Sequence, residues 1–534
     1  MGKKKVHLAA VQQKKVSDLW WFTGQTIGSP RFWESVTRPA KPRVLPSFHH
    51  ILENTIMLHT NQTADCINTG DTTWVLISSI LVLSMMPALA FFEAGLLKSI
   101  NTVSLVTQII GGASILSVMW HLIGYTLVFG HTYRGIIGDF DNILMLNVPY
   151  DSCSRHAPNI PAALFGFFQM MFAAISPLLI TGAFAERLKY KAFVIFIIGW
   201  ELFIYYPVAH WIWGEGWLNT KFEAQDFAGG MVIHTTSGVS ALICGIVLGQ
   251  RKDFDKYNGE FPPSNLPLAA LGGALLWTAW FGFNAGSALQ SGSLAVSTVV
   301  ATQRSAVCSG VIWLIISWIR HKPSATAVLN GVIAGLAGIT PASGYIDPQY
   351  GAVIGVILGF TSYSSILLFK QKLRIDDALD VSSVHGVTGM IGSIAIGLFG
   401  QKSFNKDGKD GLLFGNHSPY LLGVQVMSVV VTGLWSALIT IILLKIIDKI
   451  VGLKIEHDEE LGLDEEEHGE QAYGWRHSLV SDALTEEQIH SIVRGSVNHH
   501  IQNDQRRLSL IPTNNKPIII RRPRSDISKL EETL

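Results

Sequence analysis

The chain has 534 residues, 48% of them hydrophobic and only 15% charged, with a formal net charge of zero; a soluble globular protein carries about 25% charged residues. Forty of its 80 charged residues lie between Trp74 and Ile450, so that long stretch is about 11% charged and the two ends about 25%. This pattern excludes a string of soluble domains, removes any electrostatic case for nucleic acid, and describes a polytopic membrane protein with solvated ends.

Residues 1–72 mix basic, Trp-containing and Pro-containing stretches without a period. They read as a mostly disordered N-terminal extension. Lys3, Lys4 and Lys5 are not followed by an apolar run of the signal-peptide kind. A bilayer span needs about 20 predominantly apolar residues. Eleven such runs follow, at 74–97, 104–130, 162–182, 192–213, 228–250, 266–283, 294–319, 325–340, 350–369, 383–400 and 420–447. The eighth is short and rich in Gly. Much of the glycine content, 50 residues in all, lies inside these runs, which favours a closely packed helical bundle. The expected fold is therefore all-α, with a transmembrane domain over 73–450. From 451 to 534 the chain becomes a polar tail, acidic from Glu456 to Glu470 and basic at Arg521, Arg522 and Arg524.

Lys and Arg in alternate loops set the orientation. One set of loops carries twelve, among them Lys98, Arg187, Lys189, Lys191, Arg251 and Lys252. The opposite set carries six, in longer loops. The richer side is expected to be cytoplasmic, which with eleven spans puts the N-terminus outside and the tail inside. The nine basic residues of the N-terminal segment all precede residue 44, too far from the first span to count. Asn61 and Asn416 head glycosylation sequons on the expected outside. Cys66 and Cys153 also fall there, where a disulfide persists; two free thiols fit equally well.

The spans repeat. Asp226 precedes His234 by eight residues in the fifth, and Asp377 precedes His385 by eight at the tenth. Phe92-Glu93-Ala94-Gly95 in the first run matches Phe283-Asn284-Ala285-Gly286 in the sixth. A unit of five spans repeated once inverts the second copy across the membrane and leaves one final helix. Inverted repeats place a pathway at their interface near the midplane, so His234 and His385 are expected to meet there. An imidazole in hydrocarbon is costly and normally faces a pathway. His121 and His210 have no repeat partner and read as packing residues.

These residues resemble the ammonium transporter (Amt/Mep/Rh) family. The resemblance is carried by Asp226-Phe-Ala-Gly-Gly-Met-Val-Ile-His234, by Trp280-Phe-Gly-Phe-Asn-Ala-Gly-Ser287, and by Gly331-Val-Ile-Ala-Gly-Leu-Ala-Gly-Ile-Thr-Pro341. Asp376-Asp-Ala-Leu-Asp-Val-Ser-Ser-Val-His385-Gly386, Gly182-Ala-Phe-Ala-Glu-Arg187 and Gly462-Leu-Asp-Glu-Glu-Glu-His-Gly-Glu470 carry it too. It runs from about residue 72 to 475 and is similar to the branch that has both pore histidines. It implies eleven spans, an outside N-terminus, a homotrimer with one pore per subunit, a plasma-membrane location, and no catalytic site or cofactor. It implies an ammonium recruitment site of Phe168, Phe172, Trp213, Ser287 and Asp226, a gate of Phe172 and Phe283, and a pore of His234, His385 and Trp280. It also implies that the tail segment from Leu461 to Tyr473 contacts a neighbouring subunit. Its acidic residues would lie on a basic face of Arg187, Lys189, Lys191, Arg251 and Lys252.

The chemistry suits ammonium. Aromatic faces attract a cation by roughly 0.5–2 kcal/mol per good contact. A Ser287 oxygen can accept an N–H bond that potassium cannot offer. Asp226 would cap a helix and support the site from behind. Past the gate a bare cation is strongly disfavoured, but ammonium can release its proton and cross as ammonia, alone or with the proton carried by the imidazoles. Two other readings stay open: an ammonium sensor with a transporter fold, and a channel for another small neutral gas. Glu93 and Arg304 depart from the family pattern. Ser509, after Arg506-Arg507-Leu508, and Ser525, after Arg522-Pro-Arg, resemble kinase sites, so a kinase or signalling protein is an expected tail partner.

Overall fold

The computed structural model describes residues 66–455 and 462–473. Asn61, Ser509 and Ser525 lie outside the described residues, as does nearly all of the N-terminal extension. Ten helices among the described residues are long and apolar enough to cross a membrane. They are α1 (Thr69–Leu96), α2 (Ser99–Phe129), α3 (Ala162–Phe184), α4 (Tyr190–Phe222), α5 (Gly230–Leu248), α6 (Leu266–Gly286), α7 (Ser293–Arg320), α9 (Pro348–Lys372), α10 (Ser382–Phe399) and α11 (Tyr420–Val451). Between α7 and α9 lies a shorter apolar helix, α8 (Ala325–Ile339). Exposed apolar residues such as Ile80, Val296 and Leu434 cover the outside of the bundle, a surface suited to lipid. Arg304 is exposed on α7 rather than buried against a partner.

The eighth predicted span is short, as its sequence indicated. With 15 residues, α8 is only about 22 Å long, short of the roughly 30 Å hydrocarbon core. Pro341 follows it closely and cannot continue a helix. The Pro341 carbonyl instead accepts the Phe227 N–H at 3.0 Å, tying the end of α8 to the start of α5. Long helices are held to α8 by small residues and hydroxyls. Ser305 and Ser309 on α7 donate to the Gly335 and Gly331 carbonyls at 2.8 and 2.5 Å, each bond worth about 0.6–2 kcal/mol in a membrane.

The chain also enters the bundle earlier than expected. Asn68 caps α1 by accepting the Asp71 N–H at 3.0 Å, so the helix starts at Thr69. The connection from α2 to α3 carries two short antiparallel hairpins, β1 (Thr132–Tyr133) with β2 (Ile137–Gly138) and β3 (Cys153–Ser154) with β4 (Ala157–Pro161). Cys153 of β3 is disulfide-bonded to Cys66. Asn416 is exposed before α11.

The repeat is visible as exchanged contacts. A Cβ at Gly95, near the end of α1, would lie 2.5 Å from the Ala269 nitrogen near the start of α6. A Cβ at the matching Gly286, at the end of α6, would lie 2.5 Å from the Ser78 Cβ near the start of α1. The two helices therefore run antiparallel at a distance only glycine permits.

On the face where α1 ends, buried charges satisfy one another. Two guanidinium nitrogens of Arg251 donate to Asp376 at 2.9 Å and a third to Glu186 at 3.0 Å. Arg187 lies 3.5 Å from Asp376. Burial raises the Asp376 carboxyl, but the hydrogen bonds and charge of Arg251 outweigh it and hold the group below its ordinary value. The charges of Arg187 and Arg251, two of the five basic residues expected to face the acidic tail, are thus engaged by Asp376 and Glu186. The tail helix α12 (Leu463–His468) docks instead at the start of α2. Asp464 accepts the Ser104 N–H at 2.8 Å, and the Leu463 N–H donates to the Asn101 side chain at 3.0 Å. An acid at a helix N-terminus meets unpaired amides and the positive end of the dipole.

Candidate functional site

Five aromatic and imidazole side chains follow one another through the bundle. Trp213, half-buried near the turn at Gly214 in α4, meets Phe172 of α3 with ring centroids 6.4 Å apart. Phe168, one turn earlier, packs edge-on to Phe172 at 4.8 Å. Phe172 lies 4.4 Å from Phe283 of α6. Both are about 1% exposed. Phe283 lies 6.2 Å from His234, and His234 5.2 Å from His385. Trp280 stacks along the imidazoles, 5.6 Å from one and 6.4 Å from the other.

Local structure positions each ring. His234 and His385 both lie in a π-helical turn, at Gly230–Thr235 and Ser382–Val387; such turns recur at functional sites. The helices carrying them cross almost backbone to backbone. A Cβ at Gly238 would stand 2.1 Å from the Gly386 Cα. This crossing brings the two Nδ1 atoms within 3.2 Å. Two neutral imidazoles can share that bond only if one donates and the other accepts. Their Nε2 atoms must then differ, one carrying a proton and the other a lone pair. Among the described residues, His234 Nε2 is buried without a hydrogen-bond partner.

Asp226 lies behind this file rather than in it. Its Oδ1 accepts the Gly229 and Gly230 N–H groups at 2.8 and 2.7 Å, and its Oδ2 those of Met231 and Val232 at 2.7 and 3.1 Å. The carboxylate thus satisfies the free amides that open α5. Its carbonyl accepts the Trp213 indole N–H at 2.8 Å, so one residue orients both the outer ring and the helix of His234. Ser287 is half-buried and donates its hydroxyl proton to the Phe283 carbonyl at 2.9 Å. Its lone pairs remain available to an N–H donor.

Some contacts were not legible in the residue pattern. Trp280 is fixed by donating to Thr340 at 3.0 Å; the only signal was a polar residue next to Pro341 in a glycine-rich run. Glu93 lines one cavity together with His385, Trp280 and Asn330. His210 is a packing residue, hydrogen-bonded to the Val128 carbonyl at 2.7 Å and to Thr132 at 2.8 Å. Among the described residues, no cluster of three His, Cys, Asp or Glu is placed to hold a metal ion.

The model of the Ammonium Transporter Family matches residues 73–473. Ammonium transporter 1 of Dictyostelium discoideum is 59% identical over 415 residues, 77% of this chain and 89% of that protein. The crystal structure of Saccharomyces cerevisiae Mep2 matches with a TM-score of 0.68 at 31% identity, over 75% of this chain and 94% of that one. A sensor Amt protein of known structure matches with a TM-score of 0.67, also at 31% identity, over 75% of this chain and 98% of that one. The chain belongs to the ammonium transporter family.

Proposed function

We propose that this transporter recruits ammonium beside Trp213, strips it to ammonia at the Phe172–Phe283 gate and conducts ammonia past His234 and His385. The observation that carries the reading is the continuous file of rings ending in two imidazoles that share a proton. Trp213 and Phe172 offer ring faces to a cation, each worth about 0.5–2 kcal/mol. Ser287 accepts one N–H, a contact potassium cannot make. The apolar gate then sets a desolvation barrier that a cation does not cross intact. Ammonium escapes that barrier by giving up its proton, and potassium cannot. Beyond the gate, Nε2 of one imidazole accepts from ammonia and Nε2 of the other donates to it.

The proposal extends to a homotrimer in the plasma membrane, with residues 1–72 outside and 451–534 inside as a regulatory tail. The Lys and Arg distribution supports this orientation, α8 counting as a shortened eleventh span. Cysteine labels placed at Asn416 and Ser509 test it: outside access at the first and inside access at the second is expected.

The function is tested by growth of ammonium-uptake-deficient cells on low ammonium, together with uptake of labelled methylammonium and exclusion of potassium. Rescue with uptake is expected. A protein that reaches the membrane and restores signalling without uptake would be a sensor, and the transport reading would fail.

A further inference from the structure

Glu93 stands where the file of rings ends. A cavity of about 30 Å³, room for one or two waters, is lined by His385, Trp280, Phe92 and Glu93. Glu93 is 3% exposed. By the repeat it is the counterpart of Asn284, beside the gate residue Phe283 at the opposite end of the file. Asn284 cannot exchange a proton and donates to Thr302 at 3.0 Å. Only the end nearer the tail carries an ionisable group at this position.

Its hydrogen-bond partner accommodates both protonation states. The Thr181 hydroxyl has one proton and faces two oxygens, Glu93 Oε2 at 2.8 Å and the Leu178 carbonyl at 2.5 Å. With Glu93 ionised, Thr181 donates to the carboxylate. With Glu93 protonated, the carboxyl donates to the Thr181 oxygen and Thr181 turns its proton to Leu178. Neither state strands a buried donor. Among the described residues, Asp377 Oδ1 is buried without a hydrogen-bond partner, and Asp377 acts electrostatically on Glu93.

We propose that Glu93 is the inner proton-exchange residue of the pathway. The inference rests on the transport reading above. The proton released from ammonium at the outer end passes over the imidazole pair and the cavity water, and bonds to the Glu93 carboxylate. Ammonia arriving in the cavity then takes that proton. The O–H bond breaks, an N–H bond forms, and ammonium leaves as Glu93 returns to carboxylate. One ammonia and one proton enter for each ammonium that leaves, so each cycle moves one positive charge.

The test uses the full chain in proteoliposomes and two readouts after an ammonium pulse: current on a solid-supported membrane, and nitrogen accumulated in the lumen. Wild type is expected to give both. In Glu93→Gln the current per nitrogen is expected to fall by at least about tenfold, the scale of a lost acid–base group, and Glu93→Asp is expected to recover part of it. Should Glu93→Gln not fold, Thr181→Val carries the test, with an expected loss of about three- to tenfold in the same ratio from one missing hydrogen bond. No accumulation by wild type would refute the transport reading itself. Accumulation without current, or a ratio unchanged in the folded variant, would overturn the role of Glu93 and leave the transport reading standing.

Discussion

Replacing Asp226 by Asn changes almost no volume and removes one charge. The carboxylate now serves four amides with two oxygens. An amide keeps one oxygen for Gly229 and Gly230, and turns its NH₂ toward the Met231 and Val232 N–H groups, donor against donor. Two charge-assisted hydrogen bonds are lost, at about 1.5–3 kcal/mol each, or roughly 3–6 kcal/mol together. That is a large part of a typical net stability of about 5–15 kcal/mol. The loss falls on the turn that carries His234 and on the carbonyl that holds Trp213. Since about 1.4 kcal/mol is a factor of ten, even partial displacement should reduce uptake more than tenfold. Thermal melting of the purified variant and methylammonium uptake at matched surface expression check this. Both should fall, and uptake should fall further than in Glu93→Gln. An unchanged melting temperature with lost uptake would mean that the carboxylate meets the ion directly. Unchanged values of both would refute the capping argument.

His234→Ala and His385→Ala should each impair ammonium selectivity while the protein still reaches the membrane; wild-type uptake and potassium exclusion in both would remove the imidazoles from the mechanism. Gly238→Ala places a Cβ 2.1 Å from the Gly386 Cα, forcing α5 and α10 apart at a cost of about 1–3 kcal/mol and breaking the 3.2 Å imidazole contact. Uptake should be lost, and normal uptake would show that this crossing does not set the pore. Cutting the chain before Leu461 removes Asp464 and leaves the Ser104 amide without its acceptor, a loss of about 1–3 kcal/mol, whereas deletion from residue 476 onward spares it; equal uptake by both truncations would show that the docked α12 contributes nothing. Burial, with the charge of Arg155, pushes His156 down to about 4. The unfolded chain therefore binds more protons between about pH 6.5 and 4, and stability should fall as pH drops through that window. The fall should be shallower in His156→Asn, and identical melting profiles would disprove the assignment.

Much of this protein is legible in its residue order because a bilayer restricts the options. A chain in hydrocarbon must satisfy its backbone internally, so long apolar runs become helices and ten of the predicted spans appear close to their expected limits. The repeat was legible for a related reason. Two copies of one packing solution keep the same residues at the same offsets, which pairs Asp226–His234 with Asp377–His385, and Gly95 with Gly286. Close approach, by contrast, is decided only when helices cross. Nothing in the order of residues places Gly238 on Gly386, so the contact between the two Nδ1 atoms, and the opposite tautomers it requires, belong to tertiary structure. The same is true of the tie that holds the end of α8, the Pro341 carbonyl bonded to the Phe227 N–H before α5. Charges were the least predictable part. Arg187 and Arg251 were free to meet the acidic tail until the fold buried them beside Asp376 and Glu186. Once desolvated there, they are satisfied by partners within hydrogen-bonding distance, and the acid of the tail meets the unpaired amides that open α2.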